Sequence, residues 1–173
     1  SCIRPQYFDQ LKELAKAIRV PLLIQPKWKS STYPNFVEEL VAIQPDILWI
    51  NSYSMIIRPE VLAIPTKGVL NIHAALLPKN RGSNPIQWAI INRDYETGVT
   101  LHEVDSGLDS GPIIDQIKIP IGISDTWLDL RNALAAATDN LIQANLHQIF
   151  KGNWKATIQN EALASFGIRR KEE

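Results

Sequence analysis

The sequence predicts an α/β fold in which helices flank a partly parallel sheet. Helix-period and short apolar segments alternate through the first half, as they do in βα units. Asp46–Asn51 (DILWIN) is apolar at both odd and even positions, the pattern of a strand buried on both faces of a parallel sheet. In the second half, Gly98–Asp105 and Pro112–Ile121 read as strands bounded by turn signals, close enough together to be antiparallel additions.

Taken in order, Tyr7–Arg19 is a helix because Phe8, Leu11, Leu14, Ala15 and Ile18 recur at helical spacing. Val20–Ile24 is a short apolar run, read as a buried strand. Pro34–Ile43 is a helix with Phe36, Val37, Leu40 and Val41 on one side, and the strand Asp46–Asn51 follows it. Arg58–Ile64 is a short helix with Pro59 at the first position, where a missing N–H costs nothing. Gly68–His73 is the next strand, followed by a loop with Pro78, Arg81 and Gly82, then a helix over Asn84–Ile91. Asp125 is expected to cap a long helix to about Phe150, with Trp127, Leu130, Leu134, Leu141 and Ile149 among its apolar positions. Doubly wound folds usually open on an apolar central strand. This chain opens Ser1-Cys2-Ile3-Arg4-Pro5, with neither a methionine nor such a strand, so residues are expected to be missing ahead of it.

The 173 residues fit one domain, 1–173, with a real core. A net charge of zero offers no broad basic surface for nucleic acid or anionic lipid. Lys27 with Lys29, and Arg169-Arg170-Lys171, read as solvated charge runs. A single cysteine, Cys2, excludes an internal disulfide and fits a reducing, cytoplasmic setting. No apolar run approaches the roughly 20 residues of a membrane span. His73, His102 and His147 form no ligand-spaced cluster, so no metal is expected. Trp127 and Trp154 are candidates for a homodimer interface.

The chemistry concentrates in Asn71-Ile72-His73. Side chains alternate along a strand, so Asn71 and His73 leave one face while Leu70 and Ile72 leave the other. Two polar groups at the end of an apolar strand are costly unless something uses them. Alone, His73 reads as a satisfied core histidine, Asn71 as a strand-end residue and Asp109 as a turn residue. Together, at these spacings, they read as a site.

The stretch NIHAALLPKNRGSNPIQWAI, followed by ETGVTLHEVDSGLDSGPII, resembles the folate-dependent formyltransferase family. That family includes glycinamide ribonucleotide transformylase, methionyl-tRNA formyltransferase and sugar N-formyltransferases. The similarity runs from about Leu40 to Gln116. It implies a Rossmann-like formyltransferase sheet with flanking helices, here lacking the first N-terminal strand, and 10-formyltetrahydrofolate as formyl donor. It also implies a catalytic trio at Asn71, His73 and Asp109. The chemistry asks for these residue types. Attack of an amine on a formyl group creates an oxyanion, for which the Asn71 amide and an Nε or Nδ proton of His73 can be donors, while Asp109 can relay or accept the amine proton. Thr100 matches a family hydroxyl and is assigned to orienting the site.

By position, the resemblance places the folate between Met55, Ile56, Ile57 and Leu62 on one side and Val104, Asp105 and Ser106 on the other. An apolar wall with backbone donors suits a flat pterin. Gly107 and Gly111 would give the second loop conformations closed to other residues. Leu76-Leu77-Pro78 sets the loop bordering the acceptor amine, where Arg81 is either an anion contact or a structural salt bridge.

The resemblance does not fix the acceptor. Asn84-Pro85-Ile86-Gln87-Trp88, Thr97–His102 and Arg169-Arg170-Lys171 look closest to sugar N-formyltransferases, while Gly111-Pro112-Ile113-Ile114 with Gln116 is also similar to purine enzymes and to formyltetrahydrofolate hydrolase. The first expectation is transfer to the primary amine of a small molecule, an amino-deoxy sugar nucleotide. A polyanionic tRNA rewards basic charge that this chain does not carry, yet methionyl-tRNA stays open as acceptor. A hydrolase, and a folate-binding module that performs no chemistry, complete the alternatives.

Overall fold

The structure is a computed structural model that describes residues 5–53, 55 and 57–167. The chain divides into two compact units, Ser1–Pro45 with Ser54–Ile64, and Asp46–Tyr53 with Pro65–Glu173. The first holds helices α1 (Pro5–Ala17), α2 (Tyr33–Ile43) and α3 (Pro59–Leu62). Ala15, Tyr33 and Val61 are its buried apolar residues, and the Arg58 guanidinium lies 4.0 Å from the Trp28 ring centroid. The run Val20–Ile24, expected as a buried strand, forms none, and Val20, Leu22 and Ile24 are exposed. Pro21 has no N–H to give to a ladder, and Pro26 stands two residues beyond the end of the run.

The second unit runs β1 (Leu48–Asn51), β2 (Val69–His73), β3 (Arg81–Gly82), α4 (Pro85–Ile91), β4 (Glu96–Glu103), β5 (Ile113–Pro120), α5 (Trp127–Lys151), a 3-10 turn (Glu161–Leu163) and β6 (Phe166–Gly167). Its main sheet has the order β1-β2-β4-β5, with β1 and β2 parallel and the later pairs antiparallel. That mixture matches the expected α/β sheet. β3 and β6 form a separate parallel pair.

Strand alternation sorts the sheet into two faces. Leu70 and Ile72 of β2, with Val99 and Leu101 of β4, pack against Leu130, Leu134, Ala137, Leu141 and Ile149 of α5. Burying each of these leucines contributes about 1.5–3 kcal/mol. The register pairs Asn71 with His102 and His73 with Thr100, so these four share the opposite face. A one-residue slip would drive Asn71 and His73 into the apolar core, which is why the register is tightly specified.

Helix α5 is capped by Thr126 rather than Asp125: the Thr126 hydroxyl accepts from Asp129 N, and Asp129 answers on the Thr126 backbone. Asp125 instead accepts from Gly122 N at 2.7 Å, closing the preceding turn. The cap contacts hold the Asp129 carboxyl below its usual range, the Thr126 side chain first among them. β4 ends at Glu103, short of the expected Asp105, and Gly111 packs so closely on the Glu103 carbonyl that a Cβ would not fit there. Among the described residues, no helix is long and apolar enough to cross a membrane.

Candidate active site

The sheet face opposite α5 gathers polar groups that the core excludes. His73 and His102 are 7% and 1% exposed, and Asp109 reaches both from the loop after β4. His73 Nε2 lies 2.8 Å from the Asn80 carbonyl, which can only accept, so Nε2 carries a proton. Nδ1 is thereby the nitrogen turned to the site, 3.6 Å from Asp109 Oδ2. His102 is arranged the other way. Its Nδ1 donates to the Glu103 carbonyl at 2.6 Å, leaving Nε2 to accept from Asn71 Nδ2 at 3.1 Å. The Asn71 amide also faces Asp109 Oδ1 at 3.4 Å.

Asp109 sits in the left-handed region at φ 50° and is anchored by Gly82 N, which donates to Oδ2 at 2.8 Å. Gly82 has φ 87°, a conformation that glycine adopts without strain. Gly107 and Gly111, expected to use that freedom, take no positive φ. The correction is one of cause: Gly111 is required by its close approach to the Glu103 carbonyl.

Burial pushes the His102 imidazole below its ordinary 6.5, against the Glu103 carbonyl and the carboxylates of Asp109 and Asp105, with His73 adding to the depression. The unfolded chain therefore binds a proton first as pH falls through 6.5, and stability should decline below that pH toward the lower folded value. Urea unfolding at pH 7.5 and 5.5 checks this; His102→Gln should lose less stability between the two than the parent chain does.

Thr100 is fully buried, and its hydroxyl donates to Ala75 O at 2.6 Å while accepting from Leu77 N and Gln116 Nε2 at 3.1 and 2.8 Å. Those bonds shape the turn before Pro78, whose carbonyl accepts from Ser165 N at 3.2 Å. Arg81 is 2% exposed, with its guanidinium bonded to Gln159 and Glu161. Of the two readings of Arg81, the structure displays the salt bridge. The Glu161 pairing is the main cause that raises Arg81 above its ordinary value and lowers Glu161.

Of the expected folate residues, Met55, Ile57 and Leu62 are half-buried in the first unit, and Ile56 lies outside the described residues. Val104, Asp105 and Ser106 belong to the second unit. Val104 N donates to Val69 O at 2.8 Å, and the Asp105 carboxylate holds Gly107 N and the Ser110 hydroxyl at 2.9 and 2.8 Å. Ser106 is exposed. Among the described residues, no group of three or more His, Cys, Asp or Glu is arranged to hold a metal.

Sequence reasoning missed His102, Asn80, Gly82 and Gln159. The first was detectable: Thr100 and His102 repeat the two-residue spacing of Asn71 and His73 in an apolar strand.

Residues 2–146 match the Formyl transferase family. A methionyl-tRNA formyltransferase from Marinobacter nauticus is 40% identical over 136 residues, 79% of this chain and 44% of that protein. The chain thus spans about half the length of the curated relatives it matches. The phosphoribosylglycinamide formyltransferase of Bacillus halodurans superposes with a TM-score of 0.72 at 32% identity, covering 80% of this chain and 73% of that one. An N-formyltransferase from Helicobacter canadensis, solved with folinic acid and dTDP-3-aminofucose, is 36% identical over 57% of this chain and 36% of its own, with a TM-score of 0.55. Shared sequence across most of the chain and a shared α/β fold place it plainly: this chain belongs to the formyl transferase family.

Proposed function

We propose that this chain is the catalytic part of an enzyme that moves a formyl group from 10-formyltetrahydrofolate to the primary amine of a small molecule, with an amino-deoxy sugar nucleotide as first candidate. The observation that carries the reading is the convergence of Asn71 Nδ2, His73 Nδ1 and the Asp109 carboxylate within 3.4–3.6 Å on one sheet face.

When bound, 10-formyltetrahydrofolate supplies the formyl carbon. In the second unit, the loop Val104–Ser106 offers a half-buried valine and backbone groups that suit a flat heterocycle with a polar edge. The Asn71 amide gives its N–H groups to His102 Nε2 and, over a long 3.4 Å, to Asp109 Oδ1, and the second of these is the donor that would turn to the negative charge growing on the formyl oxygen. His73, with Nε2–H spent on Asn80, offers Nδ1 to a proton, and Asp109 opposite Nδ1 stabilises positive charge arriving there. The amine must lose a proton as its C–N bond forms, and the Nδ1–Asp109 axis would take that proton and return it to the donor nitrogen as the old bond to the formyl carbon breaks and tetrahydrofolate leaves.

The sugar reading draws support from the Helicobacter canadensis protein, solved with dTDP-3-aminofucose. One observation favours a second acceptor, methionyl-tRNA: the curated relatives at 35–42% identity carry that name. Incubation with 10-formyltetrahydrofolate and, separately, dTDP-3-aminofucose, glycinamide ribonucleotide and methionyl-tRNA decides between them by mass of the product. A formylated amino sugar is the expected result. Formyl loss without any amine would make the chain a hydrolase, and donor binding without turnover a folate-binding module.

A further inference from the structure

We infer that Gln159 is a positioning residue that sets the Asp109 carboxylate from 50 residues away, an inference that rests on the proposed role of Asp109. Gln159 is 5% exposed and lies beyond the residues matched by the family. Its Nε2 donates to the carbonyls of Asp109 and Gly111 at 2.9 and 2.7 Å. Its Oε1 accepts from Arg81 Nε and Nη2 at 3.1 and 2.8 Å. An amide has two N–H donors and two lone pairs, so this side chain is saturated. The partners also fix its orientation, because a flipped amide would set its oxygen against two carbonyls and its NH2 against a guanidinium.

These bonds close a ring. Gln159 holds the backbone of Asp109 on one side and Arg81 on the other, and Gly82, next to Arg81, donates its N–H to Asp109 Oδ2. At φ 50° Asp109 takes a conformation that a side chain with a Cβ disfavours, and a bond from outside the loop to its backbone holds it there. Gln159 supplies that constraint at the Asp109 carbonyl itself. The aim of the carboxylate at His73 Nδ1 and Asn71 Nδ2 then follows from the ring rather than from the loop's own sequence. Ser165 ties down the neighbouring turn, its hydroxyl accepting from Asn80 N at 2.9 Å.

The test uses Gln159→Glu, which keeps an acceptor for Arg81 and removes both donors, alongside Gln159→Met, which keeps length and removes both functions. Hydrogen exchange of the Gly82 amide reads the Gly82–Asp109 bond directly, with the Leu101 amide in the core as control. In Gln159→Glu, exchange at Gly82 should rise about tenfold or more while Leu101 stays unchanged. With 10-formyltetrahydrofolate and the amine the parent chain formylates (dTDP-3-aminofucose first, methionyl-tRNA second), kcat should fall about tenfold or more and KM for the donor should stay within about twofold. If the Glu variant does not fold, Gln159→Met carries the same comparison. Unchanged exchange at Gly82 in a folded variant overturns the inference, as does equal acceleration at Leu101, which marks general loosening. Faster exchange at Gly82 with kcat intact would uphold the positioning and overturn the part given to Asp109 in the reaction.

Discussion

Asp109→Asn should leave the sheet folded and slow formyl transfer by about a hundredfold or more, the range over which a positioned acid or base contributes. The substitution is close to isosteric. An asparagine oxygen can still accept from Gly82 N, now 2.8 Å from Oδ2, so the loop has its anchor. What disappears is the negative charge 3.6 Å from His73 Nδ1, together with an acceptor for the Asn71 amide. His73→Ala and Asn71→Ala should fall at least as far, because one removes the nitrogen turned toward the proton and the other the amide donor at the growing oxyanion. Circular dichroism and urea unfolding establish the fold of each variant, and initial rates of product formation report the loss. Near-parental turnover in a folded His73→Ala chain would end the mechanism. Because Nε2 is bound to the Asn80 carbonyl, replacements that present only an ε-like nitrogen, such as His73→Gln, should not restore the rate.

How far the site could be read ahead of the fold depended on how local its determinants are. Asn71 and His73 were legible because period-two alternation needs only one strand, and their core-facing partners Leu70 and Ile72 fix the sense of the alternation. His102 carries the same signal in β4, two residues from Thr100, but its cross-strand pairing with Asn71 follows from register, which one strand does not reveal. β3 and β6 are two residues each, too short for any periodicity, and they pair across 85 positions of chain. Gln159 was invisible for the same reason: an amide in a polar stretch acquires meaning only once the loop bearing Asp109 lies against it. The strand expected at Val20–Ile24 failed in the opposite direction, since apolar composition was present but Pro21 denied the backbone a partner. At the start of α5, Asp125 and Thr126 are both good caps by type, and only the Asp129 reciprocity selects Thr126.

Arg81→Met should cost the fold about 3 kcal/mol, and Glu161→Gln distinctly less, although the two residues share one ion pair. The asymmetry comes from where each partner stands. The Arg81 side chain is 2% exposed and that of Glu161 70%, so loss of the carboxylate leaves a guanidinium still bonded to Gln159, whereas loss of the guanidinium strands the buried Gln159 oxygen without a donor. Only the Glu161 end of the pair is open to water and salt, which screen its charge, and glutamine at 161 still offers an oxygen to the guanidinium. Met replaces most of the buried stem, which keeps the packing loss small and isolates the hydrogen bonds. Arg81→Lys should recover only part of the loss, since one ammonium cannot reproduce a planar fork that reaches Gln159 and Glu161 together. Urea unfolding of the three variants orders them Met, Lys, Gln from largest to smallest loss. An equal loss for Arg81→Met and Glu161→Gln would show that the pair works as a surface salt bridge, and that the burial of Arg81 does not hold the ring around Asp109.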